Sequence, residues 1–97
     1  MPDSIAKDDC MFIGNKPFMN YVTAIVMRFT TRNEQTVILR ARGKHIVNAV
    51  DVSQIACRKF LEGIVEVKNV SIGSDALTTP EGKVVNVSTI EIVLGKK

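Results

Sequence analysis

Apolar residues recur at helical spacing in two segments of the chain. The first follows Pro17, which suits the first turn of a helix, and its apolar positions fall at i, i+3, i+4 and i+7: Val22, Ile25, Val26 and Phe29. The second runs from about residue 45 to 60 and carries two apolar stripes. The spacing therefore predicts helices over about residues 17–31 and 45–60, and the second of them has two surfaces to pack.

Short apolar runs predict the strands. The run CMFI at residues 10–13 ends at Gly14, and the run TVILRA at 36–41 is apolar on both parities, as in a central strand covered on both faces. The last third reads as a long hairpin, GIVEVKNVSIGS against KVVNVSTIEIVL. The order β-α-β-α-β-β follows. It predicts an α/β sandwich whose first two strands are parallel and joined by a right-handed crossover.

The pairing of the hairpin strands is predicted from their apolar residues. In the register that we expect, every apolar residue faces an apolar partner across the strands. The predicted pairs are Val65 with Ile92, Val67 with Ile90, Val70 with Val87 and Ile72 with Val85.

The apolar positions change parity in the outer half of both hairpin strands. In the predicted register, this change turns the apolar residues at 70, 72, 85 and 87 to the side opposite the helices. A second subunit is the simplest cover for them. The alternative is a twisted arm with a bulge near Asn69 and no partner.

Two loops carry the candidate chemistry. The sequences GNKP and RGKH each follow a parallel strand and lead into a helix, so both lie at the carboxyl edge of the sheet. Helix N-termini attract phosphate, and the basic residues that converge there are Lys16, Arg42, Lys44 and His45, with Arg40 on the same strand face as Arg42. The pattern favours phosphate binding. Taken alone, Lys16 could equally be a solvated loop cation.

Tyr21 and Phe18 stand in the first turn of the first helix, near this edge. Either ring could stack on a base or close the core, and the core is the simpler role for Phe18.

Composition narrows the class of protein. The chain has 97 residues, 45% of them apolar, and a net charge of +3, which permits a polyanionic partner. Cys10 and Cys57 have no partner at metal-ligand spacing, no apolar run is long enough to cross a membrane, and no signal or lipidation motif is present. We expect a soluble cytoplasmic protein with no metal and no cofactor.

The domain plan is simple. Residues 1–9 read as a flexible polar lead-in, and residues 10–97 as a single domain. A domain this small gains stability from a partner subunit. No nucleophile elbow, HExxH or P-loop is present, so we expect no enzyme and no small-molecule substrate.

Three segments together resemble the Alba family of archaeal chromatin proteins. They are GNKPFMNYV, VILRARGKHIVNAVDVSQIACRKF and GSDALTTPEGKVVNVSTIEIVL. The resemblance spans about residues 10–97. It implies two helices on a four-stranded sheet, a homodimer with projecting hairpin arms, and sequence-independent binding of double-stranded DNA and of RNA at the nucleoid.

The resemblance also assigns residues. Lys16 and the loop Arg42-Gly43-Lys44 would form the central phosphate-binding surface, supported by Arg40 and Tyr21. The hairpin arm with Lys83 would follow the minor groove, and Phe60 would contact a neighbouring dimer.

Two departures from the family pattern bear on function. Asn15 stands where many members carry the first lysine of a pair, which is a site of acetylation, and Asn86 stands where many carry an arm arginine. The arm contacts should therefore be weaker. Three alternatives stay open: an RNA-binding subunit of an RNase P or MRP-like particle, pairing with a paralogue, and a structural dimer or filament former that binds no nucleic acid.

Overall fold

A computed structural model describes residues 10–97, and the predicted lead-in at 1–9 lies outside the described residues. Strand β1 (Cys10–Phe12) is followed by helix α1 (Phe18–Thr30), strand β2 (Thr36–Arg42), helix α2 (Ile46–Ile55), and the hairpin strands β3 (Val65–Thr78) and β4 (Val84–Lys96). A 3₁₀ turn, Gly43–His45, precedes α2, and a π-helical turn, Ala56–Phe60, continues it. The predicted order β-α-β-α-β-β is confirmed. No helix among the described residues is long and apolar enough to span a membrane.

The four strands form one mixed sheet in the order β1-β2-β4-β3. Strands β1 and β2 are parallel, whereas β4 is antiparallel to both of its neighbours. The fold is the predicted α/β (α+β) two-layer sandwich: both helices pack on one face of the four-stranded sheet, and the hairpin projects from it.

The core lies between the helices and that face. Helix α1 contributes Val22, Ile25 and Phe29, as its spacing predicts, and β2 contributes Val37 and Leu39. On the opposite face of β2, Ile38 and Arg40 are only half-buried. The expectation that β2 is covered on both faces is therefore wrong within one chain, because no element of residues 10–97 packs on the helix-free face.

The predicted hairpin register is wrong. Val70 pairs with Ile92 instead of Val87, and Ile72 pairs with Ile90 instead of Val85, a shift of five residues along β4. The shift is odd, so it moves the outer residues to the other face. Val70 and Ile72 lie on the helix side of the sheet with Ile90 and Ile92, whereas Val85 and Val87 lie on the helix-free side. The predicted patch of four residues on one face is thus divided between two faces.

The turn explains the register. Gly82 N–H donates to the carbonyl of Thr79 (2.9 Å), and Thr79 N–H donates to the carbonyl of Lys83 (2.7 Å). Pro80 is in the second position of this turn, and Gly82 has φ +89°, the left-handed conformation that follows a type I turn in such hairpins. Residues 79–83 therefore fix the pairing of Thr78 with Val84.

A bulge then reconciles the two halves of the hairpin. The register shifts between Val67 and Asn69, where Lys68 is the extra residue. Without the extra residue, Val65 and Val70 would face opposite sides of the sheet, because they are an odd number of positions apart. With it, both lie on the helix side, and Val65 is buried. The bulge, weighed as an alternative in the sequence, is present, and it absorbs the parity change on β3.

Candidate nucleic-acid interface

The loops after β1 and β2 leave the sheet at the same edge. Phe12 is level with Arg40 in the parallel register, and Ile13 N–H donates to the carbonyl of Arg40 (2.9 Å). Each loop then enters a helix. We call the basic residues of these loops and the adjoining end of β2 the basic edge: Lys16, Arg40, Arg42, Lys44 and His45. The convergence predicted from the two loop sequences is therefore present in the fold.

Tyr21 holds the first loop in place. Its side chain is buried, with 7% exposure, and its hydroxyl oxygen accepts the N–H groups of Gly14 (2.8 Å) and Lys16 (3.2 Å). The ring is therefore part of the core and not a platform for a base. Phe18 is half-buried against the same core, as expected. Lys16 itself is exposed on a backbone that Tyr21 positions.

Gly43 shapes the second loop. Its φ of +53° is the left-handed region, and a Cβ there would lie 3.5 Å from Cγ1 of Val87 on β4. The backbone can thus turn from β2 directly into the helical segment. Lys44, the next residue, is exposed.

The two arginines lie on the helix-free face and meet carboxylates there. Arg42 Nε lies 3.3 Å from Asp75 Oδ2, and Arg40 Nη2 lies 3.3 Å from Glu91 Oε1. All four side chains are more than a third exposed. Exposed pairs of this kind stabilise a fold by about 0–1 kcal/mol, so an incoming phosphate can compete for the guanidinium groups.

A concave surface lies beside these pairs on the helix-free face. Its volume is about 330 Å³, and its lining includes Phe12, Arg40, Arg42, Asp75 and Glu91. Neither carboxylate was predicted as part of the site. The position of Asp75 follows from the true hairpin register, which the turn residues 79–83 could have indicated, and the position of Glu91 follows from the pairing of β4 with β2.

The helix starts offer uncapped backbone donors. Neither α1 nor the 3₁₀ turn before α2 has a side-chain hydrogen bond capping its first turn. The first N–H groups of a helix have no partner within the helix, and they favour anions. Both of these starts adjoin the basic edge.

The hairpin arm projects beyond the same edge. Pairing between β2 and β4 ends where Arg42 meets Thr89, so residues 84–88 and their partners on β3 extend past it by about 17 Å, at about 3.4 Å per residue. Lys83 lies at the exposed tip. It is the arm's one cation, and the arm also carries two carboxylates, Glu81 near the tip and Asp75 near Arg42.

Phe60 lies away from this surface. It ends the π-helical turn after α2, at the opposite end of that helix from Lys44, and 51% of it is exposed.

Two pKa shifts lie outside the basic edge. Burial raises the pKa of the Cys57 thiol, and a hydrogen bond from Lys68 lowers the pKa of Glu66. No group of three or more His, Cys, Asp or Glu side chains in the described part of the chain could hold a metal ion.

The comparisons with known proteins agree with this geometry. The family model of Alba matches residues 10–74. The chain belongs to the Alba family. The protein called DNA/RNA-binding protein Alba in Methanococcus maripaludis is 44% identical over 89 residues, which are 92% of this chain and 99% of that protein. Its namesake in Methanothrix thermoacetophila is 48% identical over 92 residues, 95% of this chain and 100% of that protein.

A solved Alba structure confirms the fold. Alba from Thermoplasma volcanium superposes with a TM-score of 0.80 at 40% identity, covering 89% of this chain and 98% of that one. The resemblance seen in the three sequence segments is therefore confirmed.

Proposed function

We propose that this Alba-family protein binds double-stranded DNA and RNA without regard to sequence, through the phosphates, and coats or compacts chromosomal DNA as a dimer at the nucleoid. One observation carries the proposal: two loops that are distant in sequence bring Lys16, Arg42 and Lys44 to one edge, beside two uncapped helix starts. The names of the two archaeal relatives, DNA/RNA-binding protein Alba, support it.

The residues of the basic edge suit backbone contacts more than base reading. Ammonium, guanidinium and backbone N–H groups bind phosphate oxygens, and such contacts carry no sequence information by themselves. They release counterions, so affinity should fall steeply with salt. In the proposed complex Lys16, Arg40, Arg42 and Lys44 contact phosphates, Gly43 permits the close approach of the backbone, and Tyr21 positions the Lys16 loop.

The arm has a smaller part in this proposal. Its length lets it follow the minor groove, with Lys83 at the tip. With a single cation beside two carboxylates, however, it adds little electrostatic attraction. Most of the affinity should come from the basic edge.

Competition between nucleic acids tests the proposal. We expect two DNA duplexes of unrelated sequence to compete equally for the purified protein, and an RNA duplex to compete as well. A structured RNA that outcompetes every duplex at equal salt would favour a subunit of a ribonucleoprotein particle. If no duplex or RNA binds even at low salt, the basic edge is incidental and the proposal is wrong.

Exposed apolar side chains on the hairpin support the dimer. On the helix side of the sheet, Ile72 is 84% exposed, and Val70 and Val84 are also exposed. In isolation this arm would present a long apolar edge to water, which proteins ordinarily cover. We propose that a second copy of the chain, or a paralogue, covers it, and that Phe60 contacts the next dimer along the nucleic acid.

Replacing Ile72 by Asp should weaken the dimer by about ten- to a hundredfold. The change removes roughly 1.5–3 kcal/mol of apolar burial, and each 1.4 kcal/mol is a factor of ten. Sedimentation across a protein concentration series measures it. Val47→Asp is the matched control, because Val47 is a comparably exposed valine on α2, away from the arm. An Ile72→Asp protein that dimerises like the control would contradict this interface.

A further inference from the structure

Phe12 exposes an aromatic ring on the helix-free face of the sheet. It lies on the edge strand β1, level with Arg40 of β2, and side chains at one level of a sheet point to the same face. Its exposure is 64%, although phenylalanine is among the residues most often buried. No element among residues 10–97 packs on this face, and the proposed subunit contact lies on the helix side. The ring is therefore accessible to a ligand.

Polar side chains continue from this ring across the sheet. Arg40 is level with Glu91 of β4, and Glu91 is level with Ser71 of β3. Together with Phe12 they line the concave surface of about 330 Å³. One row across the four strands thus offers a flat ring, a guanidinium group, a carboxylate and a hydroxyl.

Gly73 keeps the far side of this concave surface open. It is level with Thr89, which is level with Arg42. A Cβ at Gly73 would lie 3.2 Å from Oγ1 of Thr89, closer than ordinary van der Waals contact, so a side chain there would fill the space. Strands β1 and β3 are the two edges of the sheet, about 14 Å apart at about 4.8 Å per strand. This width exceeds one base, so it suits a chain of nucleotides.

The charges of the face nearly cancel. Arg40 pairs with Glu91, and Arg42 pairs with Asp75, each at 3.3 Å. A polyanion gains little from a balanced surface unless these pairs exchange partners, and exposed pairs do so at low cost. The ligand that uses this face fully therefore brings a phosphate for a guanidinium group and a flat ring for Phe12.

Unpaired nucleotides bring both groups. In a duplex each base is stacked between its neighbours, whereas in a single strand a base can lie on an aromatic side chain while the phosphates reach nearby cations. Four-stranded sheets with exposed aromatic residues bind RNA in this way. We propose that the helix-free face binds single-stranded nucleic acid, with an unpaired base stacked on Phe12 and the flanking phosphates bound by Arg40 and Arg42. This inference deepens the proposed function and rests on it for the phosphate contacts.

Single strands with and without bases test this site. Fluorescence anisotropy across a salt series measures binding to a labelled deoxyadenylate strand, to an abasic strand of equal length and to a DNA duplex. Phe12→Leu removes the ring but keeps an apolar side chain, and Phe12→Tyr keeps a ring. Thermal unfolding and sedimentation check that both variants fold and associate like the unmodified protein.

The ring should matter only where bases are unpaired. We expect the unmodified protein to bind the deoxyadenylate strand more tightly than the abasic strand. Phe12→Leu should weaken binding to the deoxyadenylate strand by about five- to a hundredfold without changing the salt slope, because it removes a stacking surface and no charge. Phe12→Tyr should bind this strand normally, and both variants should bind the duplex within a few-fold of the unmodified protein.

Three results would overturn this inference. They are an unchanged affinity of Phe12→Leu for the deoxyadenylate strand, an equal loss on the abasic strand or the duplex, and weaker dimerisation of Phe12→Leu, which would place the ring in a subunit contact. The proposed function fails separately. A protein that binds the deoxyadenylate strand through Phe12 but binds no duplex would support the single-strand site and overturn duplex binding by the basic edge.

Discussion

Neutralising Arg42 and Lys44 together, as Arg42→Gln with Lys44→Gln, is expected to weaken binding to a DNA duplex by about a hundredfold or more at moderate salt. A dimer presents each residue twice, so it would lose about four phosphate contacts. If each is worth roughly 1 kcal/mol after discounting for exposure, the loss exceeds two factors of ten. The log–log salt slope should flatten by about 3 to 4, at about 0.9 for each contact.

The matched control for this variant is Arg58→Gln with Lys59→Gln. It removes the same two charges per chain in the turn after α2, at the opposite end of that helix from Lys44, and it should leave the affinity for a single short duplex within a few-fold. Fluorescence anisotropy with the labelled duplex across a salt series measures both proteins. If the two variants weaken binding equally, net charge governs binding and the basic edge has no special role.

Replacing Tyr21 by Phe should destabilise the protein and loosen the Lys16 loop. The hydroxyl oxygen accepts two backbone N–H groups, from Gly14 and Lys16, at a buried position. Without it these donors lose their acceptor, at a cost of about 1–3 kcal/mol. We expect a lower free energy of unfolding in urea, and weaker duplex binding even where the variant is fully folded.

A core change of similar cost provides the control for Tyr21. Ile25→Val removes one buried methylene from the middle of α1 and should cost about 0.5–1.5 kcal/mol without altering the loop. Its duplex affinity should therefore be normal under folding conditions. Normal duplex affinity in Tyr21→Phe as well would show that the hydroxyl stabilises the fold without positioning Lys16.

The bounds of the first helix and the position of the basic edge could be predicted from the sequence, because both follow from simple rules of spacing and topology. A single apolar stripe defines α1, and its bounds of Phe18–Thr30 lie within one residue of the expectation. The placement of the Lys16 and Arg42 loops at one edge of the sheet needs only the topological rule that parallel strands end at one edge. Neither prediction depends on the detail of side-chain packing.

The hairpin register could not be predicted from apolar matching. Alternating strands satisfy that criterion in several registers, so the criterion does not choose between them. The choice is made by the turn at residues 79–83, where Pro80 and Gly82 have defined conformational roles. Because the predicted hairpin register was wrong, it did not place Asp75 at the level of Arg42, and their pairing was not predicted. The contacts of the Tyr21 hydroxyl likewise require the folded loop.

The most direct test of a basic edge that binds phosphates is the salt dependence of duplex binding by the unmodified protein and by Lys16→Ala, with Lys59→Ala as the control. We expect a steep log–log salt slope that flattens by about 2 in Lys16→Ala, because one contact is lost from each subunit of a dimer, and that is unchanged in Lys59→Ala. A slope that is the same in all three proteins would contradict it, and Lys16 would then be a solvated loop cation.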